Sequence, residues 1–155
     1  MKYILIVSII LLNFVHADEV IRKCTKNDLI GTWLVTHIKL IDKDSKDSLS
    51  HFLMKNQILV FKKNNELNSF YSYSRDNSFD IKKALKLLEV PQGDTYKIKN
   101  GVISYFRNNK QIDSAKCDYF NQDLKKANIG KGSISLMRFS KGKPAVGNVY
   151  KKINP

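Results

Sequence analysis

The chain has 155 residues, with 27 lysines and arginines against 14 acidic residues, a formal net charge of +13. That length suits one domain, able to bury about two thirds of the surface its unfolded chain exposes, and no linker or low-complexity tract divides it. The positive field would draw the protein toward anionic lipid, polysaccharide or nucleic acid. However, 23 of the basic residues are lysine, a bias that an AT-rich genome also produces, and only four are arginine, the better reader of phosphate geometry. Nucleic acid is therefore not an expected partner.

The first seventeen residues, MKYILIVSIILLNFVHA, carry one lysine, an apolar run from Tyr3 to Leu12, and Val15-His16-Ala17, which resembles a small-x-small cleavage site before Asp18. A secretory signal peptide over 1–17 and a mature domain over 18–155 are expected, with a secreted or periplasmic destination. The run is shorter than the roughly 20 residues that span a bilayer, and no later segment approaches that length. Cys24 and Cys117 are the two cysteines, and an oxidising compartment makes one disulfide their expected state, with two buried thiols as the alternative.

From residue 31 onward, apolar and polar residues alternate with period two between clusters of Gly, Asn, Asp and Lys. This pattern predicts strands at 31–41, 57–62, 66–74, 94–99, 101–107, 111–120, 132–140 and 145–153. Hairpin turns are expected at 63–65, 100–101, 108–110 and 141–144, with Asn100-Gly101 the strongest because both central positions of a type I′ turn need φ > 0. Residues 43–56 form a longer connection that presents Phe52, Leu53 and Met54. Residues 78–90 place Ile81, Ala84, Leu85 and Leu88 at helical spacing, with lysines opposite. That helix would be capped by Ser78, carry Asp80 in its first turn, and stop before Pro91. It would plug one end of the domain or pack on its wall, a membrane or partner helix being the alternative.

Eight successive strands joined mostly by short turns must hide their edges, and closing the sheet on itself removes them. The expected fold is therefore all-β: an eight-stranded antiparallel up-and-down barrel with one short helix between the third and fourth strands, a sandwich being the alternative. Leu29-Ile30-Gly31-Thr32-Trp33 before an alternating strand resembles the opening of lipocalin-like domains, in particular the bacterial lipocalin-like group. The resemblance implies that Trp33 closes the narrow floor of a calycin-type barrel and that Gly31 lets the chain enter beneath it. It also implies a basic residue across the indole, for which Lys151, Lys152 and Arg138 are candidates, and a lid over the mouth formed by Phe52, Leu53 and Met54. Cys117-Asp118-Tyr119 resembles the Thr-Asp-Tyr turn motif of the secreted members, though it falls within a predicted strand.

Catalytic and metal signatures are not found. His37 and His51 pair with no cysteine or carboxylate at metal-ligand spacing, no Gly-x-Ser-x-Gly elbow occurs, and Gly130-Lys131-Gly132 lacks the context of a phosphate loop. Asp42, Asp44 and Asp47 lack the spacing of a calcium loop and read as a solvated turn. Neither enzyme activity nor a cofactor or metal is expected. On the middle strands, Tyr71 and Tyr73 would share an inner face with Leu67 and Ser69, while Tyr105 and Arg107 would offer a second wall. An inward Arg107 or Arg138 would anchor a carboxylate headgroup. The resemblance thus implies a protein that binds a small hydrophobic or amphiphilic molecule, and a monomer is expected. The alternative is a filled barrel whose basic exterior engages an anionic lipid or polymer surface of the envelope or a host.

Overall fold

The computed structural model describes residues 20–72 and 79–154. The expected signal peptide, Tyr73 and the expected cap Ser78 lie outside the described residues. Eight strands form the barrel: β2 (Gly31–Leu40), β3 (Asn56–Phe61), β4 (Glu66–Ser72), β5 (Asp94–Lys99), β6 (Val102–Arg107), β7 (Lys110–Phe120), β8 (Ile134–Ser140) and β9 (Lys143–Ile153). Sequential strands pair antiparallel throughout, and the β2–β9 ladder joins the last strand to the first, so that the sheet closes. The Asn100-Gly101 turn has φ of 52° and 77°, the double positive φ that a type I′ hairpin requires.

Two short elements precede the barrel and have no period long enough to read from sequence. Strand β1 (Ile21–Lys23) adds to the edge of β7, and helix α1 (Lys26–Leu29) carries the chain under the floor. Between them, the Cys24–Cys117 disulfide is formed, with the two Cα atoms 5.4 Å apart. The ends of α1 are tied by Asp28, whose carboxylate accepts two hydrogen bonds from the Arg22 guanidinium and one from the Thr25 amide, each 2.7 Å long.

The Arg22 hydrogen bonds, aided by those from Thr25, hold the Asp28 carboxyl down at about 2, below its value in an unfolded chain. A depressed carboxylate stabilises the fold above its unfolded pKa of about 3.9, and that contribution fades as pH falls toward the folded value. Because Arg22 is partly exposed, the pair is worth up to about 1 kcal/mol. Asp28→Asn is therefore expected to lower stability by about that amount at pH 7, with the difference vanishing near pH 2. Urea denaturation of both proteins across that range checks it.

The floor of the barrel is a closed apolar core. Trp33, Leu29, Leu59, Phe61, Ile103, Ile134 and Leu136 are fully buried there, and the Trp33 Nε1–H donates to the Leu29 carbonyl at 2.6 Å. Opposite Trp33 in the β2–β9 register stands Lys152, whose ammonium lies 5.6 Å from the indole centroid. Gly31 has a φ of +137°, and a Cβ there would run into the Lys152 side chain. The glycine is thus the space through which the lysine passes beneath the ring.

Helix α2 (Ile81–Leu87) is shorter than expected, and its cap is Asp80, whose carboxylate accepts from the Lys83 amide at 3.1 Å. It stops well before Pro91 because the Asn68 amide draws the carbonyls of Leu88 (2.6 Å) and Val90 (3.3 Å) toward β4. Ala84 and Leu88 pack on Ile58 and its neighbours on the outer wall, so the helix covers the barrel and does not plug it. The same region is the seam of the sheet. Strands β4 and β5 share only the pairs Glu66↔Thr95 and Leu67↔Asp94, and beyond them the Gln92 amide takes over, bonding both the amide and the carbonyl of Ser69.

Candidate functional site

The open end of the barrel carries the connection 41–55, the 108–110 and 141–143 turns and the end of β4. Beneath the 3-10 turn Ser50–Leu53, strands β4 to β8 leave a cavity of about 460 Å³. The most buried polar residue lining it is Arg138, on β8, which is 1% exposed. The guanidinium is held on two sides. Its Nε–H donates to Asp113 Oδ2 at 3.0 Å, and its carbon lies 3.3 Å from the centroid of the Phe52 ring.

Phe52 is fixed in turn through its backbone. Its carbonyl accepts from Gln57 Nε2 at 2.8 Å and from Asn148 Nδ2 at 3.0 Å, and the Tyr150 hydroxyl donates to Gln57 Oε1 at 2.6 Å. These three inward polar residues from β3 and β9 clamp the turn from within. On the exposed side, the His51 ring lies 3.7 Å from Phe52 and 5.7 Å, edge-on, from Tyr71.

Three buried side-chain atoms find no hydrogen-bond partner among the described residues: Arg138 Nη1, the Tyr105 hydroxyl and Asn148 Oδ1. The first two belong to residues that line the same cavity. Burial pushes the Tyr71 and Tyr105 phenols above their ordinary range, so both stay protonated at neutral pH. For Arg138, burial opposes the charge, but the intrinsic basicity of the guanidinium and the Asp113 carboxylate keep it a cation. His51 is lowered, first by burial and then by the charge of Arg138.

The sequence-predicted residues divide cleanly. Tyr71, Tyr105, Arg107, Arg138 and Phe52 line the cavity, with Leu67 and Ser69 on the inner face of β4 as the alternation required. Arg107 is spent, however: it forms a two-point ion pair with Asp94, both contacts 2.8 Å, and its side chain is 62% exposed. Arg138 belongs to the mouth and not to the floor, where Lys152 covers Trp33 in its place. Lys151 is exposed on the outer surface. Of the expected lid, Phe52 alone lines the cavity; Leu53 completes the turn, and the Met54 carbonyl accepts from Gln57. Asp42 caps the 3-10 turn Lys43–Ser45.

Sequence reasoning missed His51, Gln57, Asp113 and Asn148. Asn148 carried a usable signal, since it shares its strand face with Val146 and Tyr150 and so puts an amide on the interior. Among the described residues, no three His, Cys, Asp or Glu side chains are placed to hold a metal ion, and no helix is long and apolar enough to cross a membrane. No family model, curated protein or solved structure matches this chain.

Proposed function

We propose that the protein is a lipocalin-like binding protein, secreted or periplasmic, that holds one small amphiphilic molecule non-covalently in the mouth of its barrel and performs no chemistry on it. The carrying observation is the division of the interior. The floor is filled by the protein's own side chains, while the mouth keeps a cavity of about 460 Å³ walled by Leu49, Leu67, Tyr71, Tyr105 and Ile112, with a few placed polar groups. Small-molecule sites have this size and this mixture of apolar wall and sparse polar anchors. A barrel acting only through its basic exterior would have no need of that space.

Native mass spectrometry of protein purified from its own host checks the reading. A retained mass of a few hundred daltons that leaves on denaturation is expected. Bare protein that also fails to enhance anilinonaphthalene sulfonate fluorescence would overturn it.

A further inference from the structure

We propose that helix α2 and the segment after it seat the protein on an anionic bilayer, Leu87 and Val90 entering the acyl boundary while Lys82, Lys83 and Lys86 meet the headgroup phosphates. The contact is independent of what the mouth cavity holds.

The helix has two faces, and the fold accounts for only one of them. Ala84, Leu85 and Leu88 pack on the outer wall around Ile58. The opposite face meets solvent, where a helix that merely covers a barrel carries polar residues. Instead Leu87 is 57% exposed and Val90 66%, the two most exposed large hydrophobic side chains among the described residues. Adjacent apolar groups with a charged rim mark a contact surface.

Fraying does not account for this exposure. The Asn68 side-chain amide donates to the carbonyls of Leu88 and Val90, its oxygen accepts from the Gln92 amide at 3.2 Å, and the Gln92 side chain bonds both the amide and the carbonyl of Ser69. The backbone is thus tied to β4 on both sides of Val90, whose side chain is held outward.

Charge and area together select the partner. Lys82, Lys83 and Lys86 are exposed and form no ion pair among the described residues. Lys83 and Leu87, four residues apart, share one row of the helix surface. The carboxylates of this segment are Asp80, which caps the helix, and Glu89, so the ammoniums outnumber them, and the chain as a whole adds a net charge of +13. A second copy would bring the same lysines against these, which opposes self-association through this face. Two aliphatic side chains are also far less than the roughly 800 Å² that each partner buries in a stable protein interface. Insertion into a bilayer needs no such area. Aliphatic tips among ammoniums on long apolar stems complement a layer that is anionic at its surface and hydrocarbon within.

Flotation of protein purified from its own host with lipid vesicles tests the assignment. Vesicles of equal parts phosphatidylcholine and phosphatidylglycerol are expected to carry the protein at low salt, and vesicles of phosphatidylcholine alone about tenfold less. Replacing Lys82, Lys83 and Lys86 together by glutamine should weaken binding by about fivefold per lysine. Leu87→Gln with Val90→Gln should lose about tenfold and melt no lower than wild type, since both side chains already stand largely in water. Lys125→Gln, Lys126→Gln and Lys131→Gln make the same charge change on the loop beside β8 and β9, and should cost about twofold at most. An equal loss from both lysine sets means adsorption by overall charge and overturns the assignment, as does indifference of the Leu87 and Val90 variant or failure to float at low salt. Sedimentation as a dimer that the Leu87 and Val90 variant dissociates would make the face a contact between copies, and would overturn it too.

Discussion

Trp33→Ala is expected to destabilise the protein by about 3 to 5 kcal/mol, the range for deleting a large aromatic from a packed core. The side chain is fully buried in the core cluster that it shares with Leu29, Leu59, Phe61 and Leu136. Removing it leaves a cavity that the surrounding packed side chains refill only in part. The Leu29 carbonyl, which accepts from Nε1, would lose its partner, and Lys152 would lose the ring beneath its ammonium. Since a domain of this size has about 5 to 15 kcal/mol of total stability, the loss is a large fraction of the whole. Trp33→Phe separates the contributions: it keeps most of the volume and deletes the hydrogen bond, so about 1 to 3 kcal/mol should go. Urea denaturation followed by far-ultraviolet circular dichroism measures both. A loss below about 1 kcal/mol for the alanine variant would mean that the floor collapses freely around the gap, contrary to a rigid stopper. Because the mouth cavity lies at the other end, the folded Trp33→Phe protein should enhance anilinonaphthalene sulfonate fluorescence as wild type does.

The barrel was legible because its signal is local. Alternation over six to eleven residues marks a strand, and Asn-Gly marks a turn, whatever the remainder of the chain does. The strand at Asp94–Lys99 has the limits that the pattern predicts, and Leu67, Ser69 and Tyr71 share the inner face. What failed to show in the sequence depends on tertiary register. The cation over Trp33 is decided by the pair Trp33↔Lys152, and the β2–β9 ladder carries a bulge between Val35 and His37 that resets parity along it. Counting along either strand cannot locate such a bulge, so Arg138, Lys151 and Lys152 were equivalent candidates. The cavity is subject to the same limit. Asp113 meets Arg138 across the part of β7 and β8 where the strands no longer pair, and Gln57 meets Asn148 across a sequence distance of 91 residues. Asp113 and Gln57 read as ordinary surface polar groups until the sheet closes. His51 joins the site only because the Ser50–Leu53 turn folds inward.

Opening the Cys24–Cys117 disulfide is expected to cost about 4 to 5 kcal/mol on the chain-entropy model, because the bond spans a sequence separation of 93 residues and so constrains most of the unfolded chain. The Cys24→Ala, Cys117→Ala protein, compared with wild type by urea denaturation under non-reducing conditions, measures that cost. The position of the bond makes the effect more than entropic. It fastens β1 and α1 to β7, a segment also tied there by three register pairs, by the Cys24 amide, which donates to the Cys117 carbonyl at 3.1 Å, by the Asn121 amide, which donates to the Val20 carbonyl at 2.8 Å, and by Arg22 over the Tyr119 ring. Leu29, at the end of α1, is the residue whose carbonyl receives the Trp33 indole N–H. Staple and stopper therefore act on one piece of structure. Once the staple is gone, α1 should fray from the floor, and much of what Trp33 contributes should already be lost. The costs of the cysteine pair and of Trp33→Ala are accordingly expected to be non-additive, the combined protein losing less than the sum by about 1 kcal/mol or more. Simple additivity would show that the floor is organised without α1, and that the disulfide acts on the unfolded chain alone.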